Sequence, residues 1–312
     1  MPPARHRMFP YLVLLGGIMV AAAAAIMIRL AQGLGMPSTT IAAGRLALAA
    51  FIVLPLAIVR AGPELRALPR RDVRLAVAAG LFLAVHFAAW ISSLAYTSVA
   101  SSVALVSTSP LWVGLASLAL LRERLAAGTL LGIALTIAGS VLIGISDSAG
   151  TDRPNALLGN GLALLGAAAG AGYFLIGRIL RRRVSILAYI WLAYSTAALA
   201  LTLLALAVGL GDLGALGTAA AVGALAVPGW ALLLGLALGP QLLGHTAFNW
   251  SLRYLSATFV TVALLGEPIG SALLALLFFG EWFEPLQLGG FVLLLAGIAA
   301  AARAEQGRGD GR

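Results

Sequence analysis

The segment LAYTSVASSVALVSTSP at residues 94–110 returns 158 residues later as LRYLSATFVTVALLGEP at residues 252–268. Without a gap, Leu94, Tyr96 and Ser98 fall on Leu252, Tyr254 and Ser256, and Pro110 falls on Pro268. The register holds further along. Glu123 falls on Glu281, Gly132 on Gly290, Gly139 on Gly297, and aromatic Trp90 on Phe248. Matches among Leu and Ala would mean little, but Pro, Glu, Tyr and paired Gly in register mean a duplicated unit.

Composition says what solvent the unit meets. Of 312 residues, 61% are hydrophobic and 10% charged, against roughly 25% charged in a soluble domain. Too little polar material is present to coat a water-facing surface. A bilayer-crossing helix needs about 20 apolar residues, and ten stretches qualify: 9–31, 37–59, 73–96, 99–121, 127–146, 157–179, 185–209, 229–251, 255–279 and 284–302. The expected fold is all-α and integral to the membrane, with ten transmembrane helices in two five-helix repeats, 1–149 and 150–312, around a central cavity. An odd number of helices per unit sends the second copy in from the opposite side, so the repeats are inverted. That is a mark of secondary transporters that alternate access. The first stretch is read as a retained helix, because Met8–Ile28 is longer than the core of a secretory signal.

All 20 basic residues are arginine, giving a net charge of +9. They cluster between apolar runs with no interleaved aromatic stripe, which argues against nucleic acid and for membrane orientation. Counted by alternate connections, 17 fall on the side of both termini and only Arg29 and Arg153 on the other, with Arg45 inside helix 2. Both termini are therefore expected in the cytoplasm.

With ten helices and inverted repeats, the repeat motifs resemble the EamA repeat of the drug/metabolite transporter superfamily. The carriers are Leu94–Ser98, Ser109-Pro110-Leu111, Leu121–Leu125, Gly132 and Gly139. In the second copy they are Leu252–Ser256, Gly266-Glu267-Pro268, Gly280-Glu281-Trp282, Gly290 and Gly297. The resemblance covers essentially the whole chain. It implies an exporter of small organic metabolites in a bacterial inner membrane. Amino-acid exporters of the YddG type are the nearest subclass, although some carry Trp before the helix-4 proline where this chain has Ser109.

Candidate residues follow from cost, since polar side chains at membrane depth usually face a cavity or a partner. In helix 3, Phe82, His86 and Trp90 lie four apart on one face. In helix 8, Gln241, His245 and Asn249 repeat the spacing. The substrate-binding candidates are thus His86, Trp90, His245, Asn249 and Gln241. Glu267, before Pro268, and Arg45 are full charges inside spans. They could neutralise one another, or Glu267 could carry a coupling proton. Pro110 and Pro268 each remove a backbone hydrogen bond and are expected to bend helices 4 and 9. Glu123 and Glu281 sit at helix ends on opposite faces as gate or latch candidates.

The alternatives are thinner. With no cysteine, no HExxH and three dispersed histidines (6, 86 and 245), neither a metal site nor an intramembrane enzyme is supported. A channel would want rings of charge or filter carbonyls. No Walker A motif occurs, so ATP does not drive the chain directly and no cofactor is expected. The expected partners are a small-molecule substrate, lipid and, for coupling, protons. A monomer suffices; Gly166-x-x-x-Gly170 is the one feature favouring a dimer. Aromatic rings, amides and imidazoles beside one carboxylate and one guanidinium suit a zwitterion with an apolar side chain, and an organic cation almost as well.

Overall fold

The computed structural model describes residues 4–121, 127–150, 155–222, 225–255, 257–264 and 266–309. All ten apolar stretches carry helix. Among the described residues, eight runs are long and apolar enough to cross a membrane, while Leu130–Ile143 and Pro285–Gly297 are shorter apolar helices. Large apolar side chains face outward, among them Phe51, Val59, Leu206 and Leu277, each more than half exposed. Water would penalise that surface, and hydrocarbon does not.

Several spans are broken. Span 1 is α1 (Ala4–Ala21) followed by α2 (Ala24–Gly33), and spans 2 and 3 are α3 (Ser38–Ala67) and α4 (Arg70–Ser93). Span 4 divides into α5 (Val99–Val106) and α6 (Ser109–Leu121). Then come α7 (Ala127–Gly150), α8 (Ala156–Leu180) and α9 (Ile186–Val208). Span 8 is α10 (Gly229–Leu236), a π-helical stretch over Ala237–His245, and α11 (Thr246–Ser251). Span 9 carries α12 (Ala257–Ala263) and α13 (Gly266–Phe279), with residue 265 between them outside the described residues, and α14 covers Pro285–Gly309. The connection before α10 is not plain loop. It holds a short antiparallel hairpin, β1 (Ala219–Val222) and β2 (Leu225–Pro228), with Ala219 opposite Pro228.

Pro110 sits beside a break rather than a smooth bend. α5 stops at Val106 and α6 starts at Ser109, which puts Pro110 in the first turn of the new helix. Pro268 is likewise the third residue of α13. A proline there lacks an N–H that would have no helical acceptor anyway. The carbonyl that Pro110 leaves without a helical donor, Val106 O, accepts the Ser109 hydroxyl at 3.1 Å, while the Ser107 and Thr108 hydroxyls add bonds of 2.8 Å to Val103 O and Leu105 O, which already accept backbone N–H groups.

The repeat glycines show how the halves meet. α7 and α14 pack along their length. A Cβ on Gly139 would lie 2.6 Å from the carbonyl oxygen of Gly290, and one on Gly297 would lie 2.6 Å from that of Gly132. Since 132 and 290 are repeat mates, as are 139 and 297, the two contacts are the same contact seen from each half. That is the self-complementarity of a two-fold interface, here inside one chain.

Each end of the bundle is knit by its own polar contacts. At the end near the start of α4, Arg183 grips Asp72 with two hydrogen bonds of 2.6 and 2.9 Å. The Asp72 carboxylate holds that guanidinium above its ordinary range. Glu64 accepts the Ser185 N–H at 2.7 Å. Arg181 donates to Asn249 O and Val184 O, and burial draws it below its ordinary value, with Arg253 adding to the effect. At the opposite end Gln32 of α2 donates to Ile91 O and Arg29 to Thr97 O.

Candidate functional site

The α5–α6 break and the start of α13 border one small cavity. α4 supplies His86 and Trp90, and the α5–α6 break supplies Val106, Ser107 and Ser109. α8 gives Gly170, Tyr173 and Phe174; span 8 gives His245 and Phe248; and α12–α13 give Thr261, Leu264 and Glu267. Its volume is about 40 Å³, space for a few waters at most. A larger cavity of about 190 Å³ lies between α5, α13 and α14 against Pro268, Ile269, Phe283 and Phe291. Its lining is apolar throughout, so it has nothing with which to orient a metabolite.

Ring geometry fixes the cavity wall. His86 and Trp90 stack with centroids 6.0 Å apart and 25° between planes. His245 meets His86 at 6.2 Å and Phe87 at 5.1 Å. His86 Nδ1 lies 2.8 Å from the Gly166 carbonyl. A carbonyl only accepts, so Nδ1 carries a proton, and in the neutral ring Nε2 keeps its lone pair. The helix approach that permits this bond is close: a Cβ on Gly170 would lie 2.9 Å from that ring. Trp90 Nε1 and His245 Nδ1 are buried with no hydrogen-bond partner.

The two half-helix N-termini differ at this cavity. Ser109 and Glu267 are repeat mates, each in the first turn of its helix, and both line the space. A helix N-terminus carries a partial positive charge. Glu267 places a carboxylate there at α13, whereas Ser109 places a neutral hydroxyl at α6. Ser109 Oγ instead shares its proton between Val106 O at 3.1 Å and Ala167 O at 3.2 Å.

Other sequence candidates lie elsewhere. Arg45 is fully buried one layer behind, with Nε donating to Gln241 Oε1 at 2.8 Å and its guanidinium carbon 4.2 Å over the Phe87 ring. Its Nη1 has no partner. Among the described residues the ion pairs are Arg29–Glu281 and Arg183–Asp72, so Arg45 and Glu267 do not form one. Asn249 does not line the cavity; its amide donates to the Tyr173 hydroxyl and to His245 O. Glu281 binds the Val99 N–H and Arg29. Glu123 lies outside the described residues.

The helix-8 stripe splays for a physical reason. Spacing of four keeps residues on one face only in an α-helix, and the stretch from Ala237 to His245 is π-wound around Pro240. The wider turn directs Gln241 to Arg45 and leaves His245 at the cavity. α4 is a regular α-helix, and its pair His86 and Trp90 stays together. Tyr173, Ser109 and Thr261 are lining residues that periodicity did not single out, since aromatic and hydroxyl residues are common in such helices.

A bundle of apolar helices built from two related halves, with broken helices meeting at a polar internal cavity, is the architecture of a membrane transporter. The chain belongs to the EamA-like transporter family, whose pattern matches residues 8–145 and again 157–303, within the drug/metabolite transporter superfamily. It is 27% identical over 201 residues to the uncharacterized transporter YetK of Bacillus subtilis (strain 168), a match spanning 59% of this chain and 60% of the length of that relative. A solved crystal structure at 20% identity superimposes with a TM-score of 0.63 over 94% of this chain and 96% of its own, a likeness of fold.

Proposed function

We propose that the protein is a secondary transporter that exports small zwitterionic metabolites, foremost amino acids with aromatic or other apolar side chains, by alternating access. The observation that carries this reading is the unequal pair of helix N-termini at one cavity. The start of α6 at Ser109, which carries no acidic side chain, suits a substrate carboxylate, and Glu267 at α13 suits its ammonium group. The stacked His86 and Trp90 rings form a flat wall for an apolar side chain. At about 40 Å³ the cavity must widen to admit such a molecule, which fits a carrier caught between open states. The arginine distribution supports placing both termini in the cytoplasm of a bacterial inner membrane.

A second reading is export of organic cations. It is favoured by Glu267, a carboxylate on the cavity wall without an ion-pair partner among the described residues. Purified protein in liposomes separates the two. The first reading expects saturable counterflow of phenylalanine and leucine, competed by other zwitterions and not by tetraphenylphosphonium. Flux of the cation without flux of amino acids would put the second in its place. A pH gradient applied in the same assay reports proton coupling.

A further inference from the structure

Arg29 is one of two arginines on the arginine-poor side of the chain, and its contacts link the two repeats. From the last turns of α2, Nη2 donates to the Thr97 carbonyl at 2.7 Å and Nη1 lies 3.7 Å from Glu281 Oε1. The other Glu281 oxygen accepts the N–H of Val99, the first residue of α5, at 3.1 Å. Gln287 of α14 adds hydrogen bonds to the hydroxyls of Ser98 and Ser101. Two spans of the first repeat are thus tied to the connection between α13 and α14 of the second.

The tie has the properties of a lock rather than a brace. Both side chains are partly exposed, 20% and 16%, and the pair stands beyond hydrogen-bond length. By contrast, the Arg183–Asp72 bridge at the other end is bidentate and short. A loose, partly hydrated pair costs little to part. On one side it borders a cavity of about 590 Å³ lined by Arg29, Gly33, β1, Phe279 and Glu281. From Val99, α5 runs eight residues, about 12 Å, to the break at the central cavity. Contact at the first turn of α5 therefore controls a short rigid rod ending at Ser107.

We propose that Arg29 and Glu281 form the lock that closes the central cavity from this face during transport, and that parting them frees α5 to move. The proposal rests on the transporter reading, but its test does not depend on what is carried. The chain has no cysteine, so Val106→Cys places a single thiol at the cavity, to be labelled with a membrane-impermeant methanethiosulfonate added to either side in turn. Glu281→Gln keeps an oxygen for the Val99 N–H while removing the charge. It should raise the labelling rate from the Arg29 face about fivefold, the effect of losing a surface ion pair of roughly 1 kcal/mol. Arg29→Ala should do the same, and Arg29→Lys should stay near the parent rate. Unchanged labelling in a monodisperse Glu281→Gln protein overturns the lock, as does an equal rise in Arg29→Lys. A membrane orientation opposite to the proposed one would move the effect to the other reagent compartment without abolishing it.

Discussion

At the scale of single residues, Trp90 and Glu267 make separable demands. Trp90 offers a ring face, stacked against His86 and with an unpartnered Nε1. Its loss should weaken substrate binding by about 0.5–1.5 kcal/mol, tenfold at the upper end. Trp90→Ala should therefore raise KM in liposomes while the protein still inserts and elutes as one species. Glu267→Gln should behave differently. If its carboxyl carries the coupling proton, substrate-for-substrate exchange persists and the response to a pH gradient disappears. A fully active, pH-responsive Glu267→Gln protein would remove the residue from the mechanism. His86 and Trp90 were legible in the sequence because regular α-winding keeps a spacing of four on one face. Gln241 was not, because the π-wound stretch changes the angle per residue and sends it to Arg45; Asn249 follows in regular α11, where its amide is taken by the Tyr173 hydroxyl and His245 O. The partner of Glu281 was hidden for another reason: Arg29 is 252 positions away along the chain, and only the folded bundle brings the two together.

At the scale of elements, the sequence marked where helix 4 departs from straightness, yet not the form. A proline explains a bend or a break equally well, and the choice depends on whether neighbouring hydroxyls can satisfy the freed carbonyls. Ser109 does so here, its hydroxyl bonding Val106 O, the carbonyl that Pro110 leaves without an N–H. The hairpin β1–β2 went unread because its strands are four residues each and rich in alanine, a weak strand former. The repeat glycines were legible as a register, and the structure supplies their purpose in the α7–α14 contact. Two adjacent positions in α14 test it. A Cβ at Gly290 would lie 2.7 Å from Ile143 Cγ1 and 2.8 Å from Gly139 O, whereas one at Gly289 meets nothing within 4 Å. Gly290→Ala should lower stability by about 1–3 kcal/mol through overpacking. Gly289→Ala should be neutral or stabilising by up to about 1 kcal/mol, the helix propensity gained. Thermal unfolding in detergent reads both, and equal behaviour of the two variants would remove the close-contact explanation.

At the scale of the whole molecule, duplication turns a sequence register into a symmetry axis. The reciprocal Gly139–Gly290 and Gly132–Gly297 contacts require the halves to run in opposite senses, as five helices per unit demand. The symmetry is nevertheless broken where chemistry is needed: Ser109 against Glu267 at the cavity, and His86 and His245, which are not repeat mates. Orientation is the remaining whole-molecule property, and the proposed cytoplasmic placement of both termini rests on charge. Seventeen arginines lie on the side of both termini and two on the other, a bias far beyond what is needed to hold short loops in the cytoplasm. Single cysteines introduced within residues 1–8 and 303–312 should therefore resist an impermeant thiol reagent in intact cells and react once the inner membrane is opened. Labelling of both ends from outside would reverse the orientation while leaving the fold untouched. Labelling of one end alone would require an odd number of crossings, which ten spans and an inverted pair of five-helix halves cannot provide.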